Sequence, residues 1–442
     1  MSWNFLKSQK EKNAQPEPLK PIRVVIMGHD ENAPVDFKKV LAESFRSMPF
    51  LSVVFEDDFA LEDLLNPDHK NFFDFFDSGI KALKKHNADV LLRFRSSGAQ
   101  IRFNFLTPDM YLKKEPPFFS SLFGLYLPVS YFQTENLPEQ ISHLIGCTFV
   151  ALSLKKDMRR LETLKALIKV LSKNKMPQGI EKRFMPHILS FLAFNYLAMC
   201  ANTFQKKDML LISNLITSAQ KSKDGAYDAV LEGTLLTLSS QMYILAADAK
   251  NADSYTFLER AAQNLKKALK YFNKYIFPYD YGRLSLVLSK SYFSFFKFSE
   301  NRQSLRDAVF YMREAENIFT FATFPYLWAD IEGDLGNYLM HLSAYAHNKE
   351  IAELAVQNYK NRQKVFSKET APLLWAETEK SIADVYYYLG KDLENQAYFE
   401  KASDHYLDAL DIFEDLKETK YVEMLENALE KTQEKILRLN QK

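Results

Sequence analysis

Pro325-Tyr326-Leu327-Trp328-Ala329 and Pro372-Leu373-Leu374-Trp375-Ala376 repeat one pattern 47 residues apart. The same step leads back to Pro278 and on to Thr419. Ala261, Ala308, Ala355 and Ala402 keep that spacing, and so do Phe272, Phe319, Phe366 and Phe413. A fixed period of this length marks stacked supersecondary units, each burying its core only against its neighbours. Such an array favours a binding surface over an active site.

Outward from these units, apolar spacing predicts successive helices near 185–204, 208–221, 226–248, 253–276, 279–299, 302–320, 326–346, 349–367, 373–390, 396–416 and 419–439. Short connectors between helices of this length predict antiparallel hairpins stacked as a solenoid. The scarcity of glycine, 12 in 442 residues, suits long helices, while 36 Phe and 23 Tyr supply bulk for the packing. The region 21–154 has a different pattern. Strand-like runs at 22–27, 51–55, 89–94, 100–105 and 122–129 interleave with helical spacing at 35–48, 72–86 and 139–154, and Ser96-Ser97-Gly98 marks a hairpin turn. The expected fold class is mostly α: a solenoid of antiparallel helix hairpins over 155–442, regular from about residue 253, preceded by a small α/β domain over 21–154 and a flexible arm over 1–20.

The register resembles the tetratricopeptide (TPR) signature. In second helices, Ala308-Met312-Ala315, Ala402-Tyr406-Ala409 and Ala261-Leu265-Ala268 place small, large and small residues in turn, and Ala355-Tyr359-Arg362 follows less well, with Arg362 at the second small position. In first helices, Leu335-Gly336 precedes Leu339, and Ile382-Ala383 precedes Tyr386. The usual unit has 34 residues, so the surplus is expected in the intra-hairpin connection around 345–350 and before each proline. Proline suits a helix start because its missing N–H would be unpaired there. The repetition of Trp328 and Trp375 points to packing between units rather than to ligand stacking.

The resemblance implies a protein partner on the concave face lined by first helices. It places groove positions at Arg283, Lys290 and Phe293, then Asp330, Asn337 and Met340, then Glu377, Lys380, Asp384 and Tyr387. Asn337 matches the asparagine with which some members hold a terminal carboxylate, but Gly333 stands where their lysine is expected. The N-terminal order of elements, with Ala88-Asp89-Val90-Leu91-Leu92 and Ile101-Arg102-Phe103, resembles the small α/β domain of the TolB N-terminal and FlgO-like kind. The whole implies a bacterial, cytoplasmic, non-enzymatic scaffold or adaptor.

Charge and composition narrow the alternatives. A net charge of +1 gives no global polyanion-binding character. Cys147 and Cys200 provide neither a disulfide framework nor a metal-binding cysteine cluster, consistent with a reducing cytoplasm. The first residues lack the apolar core of a secretory signal. Phe184–Gln205 and Pro116–Thr134 contain no charged residue, but polar residues and proline interrupt them, so buried core is expected and no stable membrane insertion. Lys155, Lys156, Arg159, Arg160, Lys165, Lys169, Lys173, Lys175, Lys182 and Arg183 form a basic run; a solvated helix face is expected, with no nucleic-acid partner. The acidic stretch from Asp392 onward leaves end-to-end self-association open. His187 and His341 read as lone histidines without a ligand role. No cofactor, metal or catalytic residue is expected. The rival reading is a sensory or metal- and nucleotide-binding role for the N-terminal domain. It rests on Gly28-His29-Asp30-Glu31 and Glu56-Asp57-Asp58, which follow two strands at what would be the carboxyl edge of a sheet.

Overall fold

The computed structural model describes residues 18–28, 36–57, 69–108, 123–173, 180–222, 228–248 and 253–441. Its first part runs β1 (Ile22–Gly28), α1 (Phe37–Arg46), β2 (Leu51–Asp57), α2 (His69–Lys85), β3 (Val90–Ser97), β4 (Gln100–Leu106), β5 (Gly124–Pro128) and α3 (Glu139–Ser153). The strands form one sheet in the order β2-β1-β3-β4-β5, with β1 parallel to both β2 and β3, and β4 antiparallel to β3 and β5. β1 is apolar and rich in β-branched residues, as a central strand covered on both faces requires. Gly98 turns the β3–β4 hairpin at φ +59°, in the left-handed region that glycine enters without a Cβ penalty. The Asp36 side chain caps α1 by accepting from the Lys39 N–H at 3.0 Å.

One buried carboxylate organises the base of the sheet. Asp89 is 7% exposed, and it accepts hydrogen bonds from the Arg23 backbone N–H at 3.1 Å, from Arg160 Nη2 at 3.1 Å and from Lys156 Nζ. Arg160, itself buried, also donates to the Ser153 carbonyl. Part of the basic run therefore serves the interior. Much of the rest is paired locally: Arg159 with Asp157, Lys165 with Glu162 and Arg183 with Glu181.

Beyond Ser153 every regular element among the described residues is helical: α4 (Leu161–Lys173), α5 (Met185–Thr203), α6 (Lys206–Lys221), α7 (Ala229–Asp248), α8 (Ser254–Tyr271), α9 (Pro278–Ser299), α10 (Arg302–Glu316), α11 (Pro325–Ala346), α12 (Lys349–Gln363), α13 (Pro372–Asp392), α14 (Gln396–Asp415) and α15 (Thr419–Asn440). α7/α8, α9/α10, α11/α12 and α13/α14 pack as adjacent pairs, and α15 closes on α14. The period is visible in the boundaries themselves. First helices begin at 278, 325, 372 and 419, and second helices begin at 302, 349 and 396.

The turns inside the hairpins repeat as well. Glu300, His347 and Glu394 each adopt a left-handed conformation, with φ between 48° and 52°. Each is followed by an asparagine, Asn301, Asn348 or Asn395, whose side chain accepts from backbone N–H groups at the start of the next helix. The first two turns occupy only positions 300–301 and 347–348. This corrects the expectation that the intra-hairpin connection holds part of the surplus length. The surplus lies in first helices such as the 22-residue α11, and in connectors such as 364–371.

The in-register residues form the axis of the packing. Ala261, Ala308, Ala355 and Ala402 are fully buried, as are Phe272, Phe319 and Phe413, while Phe366 is 8% exposed. A Cβ on Gly336 would stand 2.7 Å from the Tyr359 ring, so the absence of a side chain lets α11 and α12 close on that aromatic. Trp328 and Trp375 sit half-buried at the junctions between units: Trp328 lies edge-on to Phe321 at 5.1 Å, and Lys368 lies over Trp375 at 5.3 Å.

α5 joins the sheet to the array. The Phe191 ring stacks on Phe123 at 4.9 Å and meets Phe105 at 5.3 Å, while Asn195 donates to Thr148 Oγ1 at 3.2 Å. His187 lies against Phe123 and Tyr126, with Nδ1 3.1 Å from the Gly124 carbonyl; burial pushes its pKa down and keeps the ring neutral. The helical stretch Lys182–Thr203, which contains α5, is long and apolar enough to cross a membrane, yet most of it is packed inside the protein. A single apolar core runs from β1 through α5 to Tyr338 of α11, and two smaller clusters continue it toward α15.

Candidate functional site

The first helices contact one another along the array. Phe293 of α9 stacks on Tyr338 of α11 at 4.2 Å, and Tyr388 of α13 donates to the Ser343 carbonyl at 3.2 Å. Between α13 and α15 this face opens into a groove of about 750 Å³. Lys380, Asp384 and Tyr387 line it from α13, Tyr406 from α14, and Lys420, Glu423, Met424, Asn427 and Lys431 from α15. The spacing of 380, 384 and 387 puts all three side chains on one helical face.

Hydrogen bonds preorganise the floor. Asp384 accepts from Lys380 Nζ at 2.7 Å and from the Tyr406 hydroxyl at 2.6 Å. Tyr387 is fixed edge-on to Phe399 at 5.4 Å, and Tyr421 donates to Glu377 at 3.2 Å. Burial and the neighbouring carboxylate push the Tyr406 hydroxyl far above its ordinary pKa, so it remains a donor. With Asp384 satisfied from within, the α15 rim offers Lys431 and Glu423 as exposed charges, and Met424, 41% exposed, as an apolar contact.

The other expected groove positions fare differently. Arg283 is only 2% exposed inside α9, which corrects its assignment to the groove: its guanidinium has no surface to present. Phe293 is committed to Tyr338 and His341, with Lys297 over its ring at 5.3 Å. Lys290, Asp330, Asn337 and Met340 are half-buried along α9 and α11, and Met340 packs toward α12. At Gly333 the Arg362 side chain crosses from α12, its Cδ 2.9 Å from where a Cβ would stand. A cation therefore reaches this position from the second helix.

A polar column lies behind this face. Glu332 is 1% exposed and accepts from Asn361 Nδ2 at 3.0 Å; burial, reinforced by Glu316, raises its pKa to about 8. One unit on, Glu379 accepts from Gln363 Nε2 at 2.6 Å and pairs with His405 Nδ1. Glu379, His405 and Asp408 bring one ligating atom each to within 4.8 Å of one another. Sequence reading passed over this group because Glu379 lies on a different helix from the other two. The common 47-residue register was the available signal, since it aligns them with Glu332, Asn358 and Asn361.

In the N-terminal sheet, Gly28 and Asp57 are paired neighbours at the carboxyl ends of β1 and β2, as the rival reading required. Glu56 is occupied by Lys85 and His86, each at 2.6 Å, which hold its carboxyl below the ordinary range. His29, Asp30, Glu31 and Asp58 lie outside the described residues. Both thiols are buried, which pushes the Cys200 pKa up to about 12 and Cys147 higher still, so neither is a ready nucleophile.

No family model matches the chain, and no curated protein matches it. Among solved structures, it is similar to the Signal Transduction ATPase with Numerous Domains (STAND) protein with a tetratricopeptide repeat sensor from Pyrococcus horikoshii. The sequence identity is 14% and the TM-score 0.38, over 69% of this chain and 46% of that one. The chain thus matches less than half the length of that protein.

Proposed function

We propose that this protein is a non-enzymatic scaffold whose TPR-like array holds a segment of a partner protein in the groove between α13 and α15. The observation that carries the reading is the convergence of Lys380, Asp384 and Tyr387 with the α15 rim, a preorganised polar floor beside apolar contacts. Lys290, Asn337 and Asp330 extend the same face toward the middle of the array. The cytoplasm fits two buried, unpaired thiols. The order of elements in the sheet supports reading 21–154 as a TolB N-terminal/FlgO-like unit and 155–442 as the array. It operates as a fixed platform, because α5 is packed on β5.

The test is affinity capture from native lysate with the intact chain and with a Lys380→Glu/Tyr387→Ala variant, each identified by mass spectrometry. A partner held by the intact chain and lost by the variant is expected, since truncating a central anchor costs about 2 kcal/mol or more, roughly thirtyfold in affinity. Equal recovery by both would remove the groove as the working surface.

A further inference from the structure

We propose that Glu379, His405 and Asp408 form a divalent-cation site that ties α13 to α14. His405 and Asp408 are three residues apart on α14 and so share a face, and Glu379 reaches them from α13 across the hairpin. The site is graded from inside to outside: Glu379 is 5% exposed, His405 half-buried and Asp408 exposed. An ion entering from solvent keeps water in its remaining positions.

The surroundings orient the donors as hydrogen-bonded neighbours of metal ligands do. Gln363 Nε2 donates to Glu379 Oε1, leaving Oε2 toward His405 Nδ1. The Tyr386 ring stacks on His405 at 5.4 Å and 18°, fixing the plane of the imidazole; Lys401 lies over that tyrosine at 5.5 Å. Comparison with the preceding unit adds a separate argument. There the same three positions are Glu332, Asn358 and Asn361, and an amide proton of Asn361 satisfies the buried carboxylate. In the last unit the amide is replaced by Asp408, whose carboxylate has no proton to give, so two carboxylates and an imidazole converge. One imidazole and two carboxylates suit Zn²⁺, Co²⁺ or Mn²⁺; three ligands are too few for a Ca²⁺ cage, and the set lacks the thiolates that select softer ions.

The experiment uses the full chain, dialysed against chelator and titrated with Zn²⁺, then Mn²⁺, by calorimetry. One saturable equivalent is expected. His405→Gln and Asp408→Asn should each weaken it by more than about tenfold, and Gln363→Leu by about 10–100-fold, with helicity at 222 nm unchanged. Asp408 is exposed, so its variant keeps the test decisive even if His405→Gln disturbs the fold. Failure to find a saturable equivalent would overturn the proposal. So would binding that Asp408→Asn leaves intact, in which case the ion is held by groups outside this cluster.

Discussion

Phe319→Ala is the substitution that most directly tests whether the 47-residue register is the axis of the array. Its ring is fully buried, lies against Gly282, and makes an edge-on contact with Phe324 at 5.2 Å and 87°. Emptying such a site costs about 3–5 kcal/mol, and the lost aromatic pair about 0.5–1.5 kcal/mol, partly within the same figure. We expect a loss of about 4 kcal/mol. Trp328→Ala removes a larger but half-buried side chain whose partner, Phe321, is 51% exposed, so about half that loss is expected. In a nearest-neighbour array the damage stays local. Urea unfolding followed at 222 nm gives the magnitude, and hydrogen exchange read by mass spectrometry gives the place, with protection falling first in α9–α11. A Trp328→Ala loss equal to or larger than that of Phe319→Ala would refute the reasoning, as would protection lost evenly out to α15.

Asp89→Asn should destabilise the protein by about 3–5 kcal/mol, because it leaves Arg160, 4% exposed, without its counter-charge; thermal unfolding measures this, and the milder Lys156→Ala should cost far less. Glu332→Gln should stabilise the protein increasingly with pH. The native carboxyl holds its proton up to about pH 8 and the unfolded one only to about 4.5, so the wild type loses stability as pH rises through that window while the glutamine does not. Melting curves at pH 5 and pH 8.5 check the sign, and a difference that shrinks with pH would contradict it.

Much of this architecture was legible because periodicity reports burial directly. Strands recur every second residue and helices about every third or fourth, so β1, the β3–β4 hairpin and the long helices showed in their apolar spacing. The groove was legible to the extent that helix position fixes direction: Lys380, Asp384 and Tyr387 share a face of α13 and do line one cleft. Arg283 escaped the same logic because helical spacing gives the face, and the packing of the neighbouring hairpin decides whether that face is covered. The hairpin turns escaped for a local reason. Glu300, His347 and Glu394 are not the glycines that usually announce a left-handed residue, although the asparagine after each was in register all along. The Glu379–His405 contact depends on how two helices are docked, which no spacing along one helix encodes.

The identity of boundaries along the array has a consequence for its evolution and engineering. Helices α9, α11, α13 and α15 start at one interval, and a left-handed residue followed by asparagine turns the chain between α9 and α10, α11 and α12, and α13 and α14, while α15 presents a largely exposed polar face. Residues 325–371 can therefore be duplicated in tandem as a single cassette. The inserted copy would carry its own start proline, hairpin turn and second helix, as its neighbours do. Array length would then change by whole cassettes, so paralogues are expected to differ within the array by multiples of 47 residues.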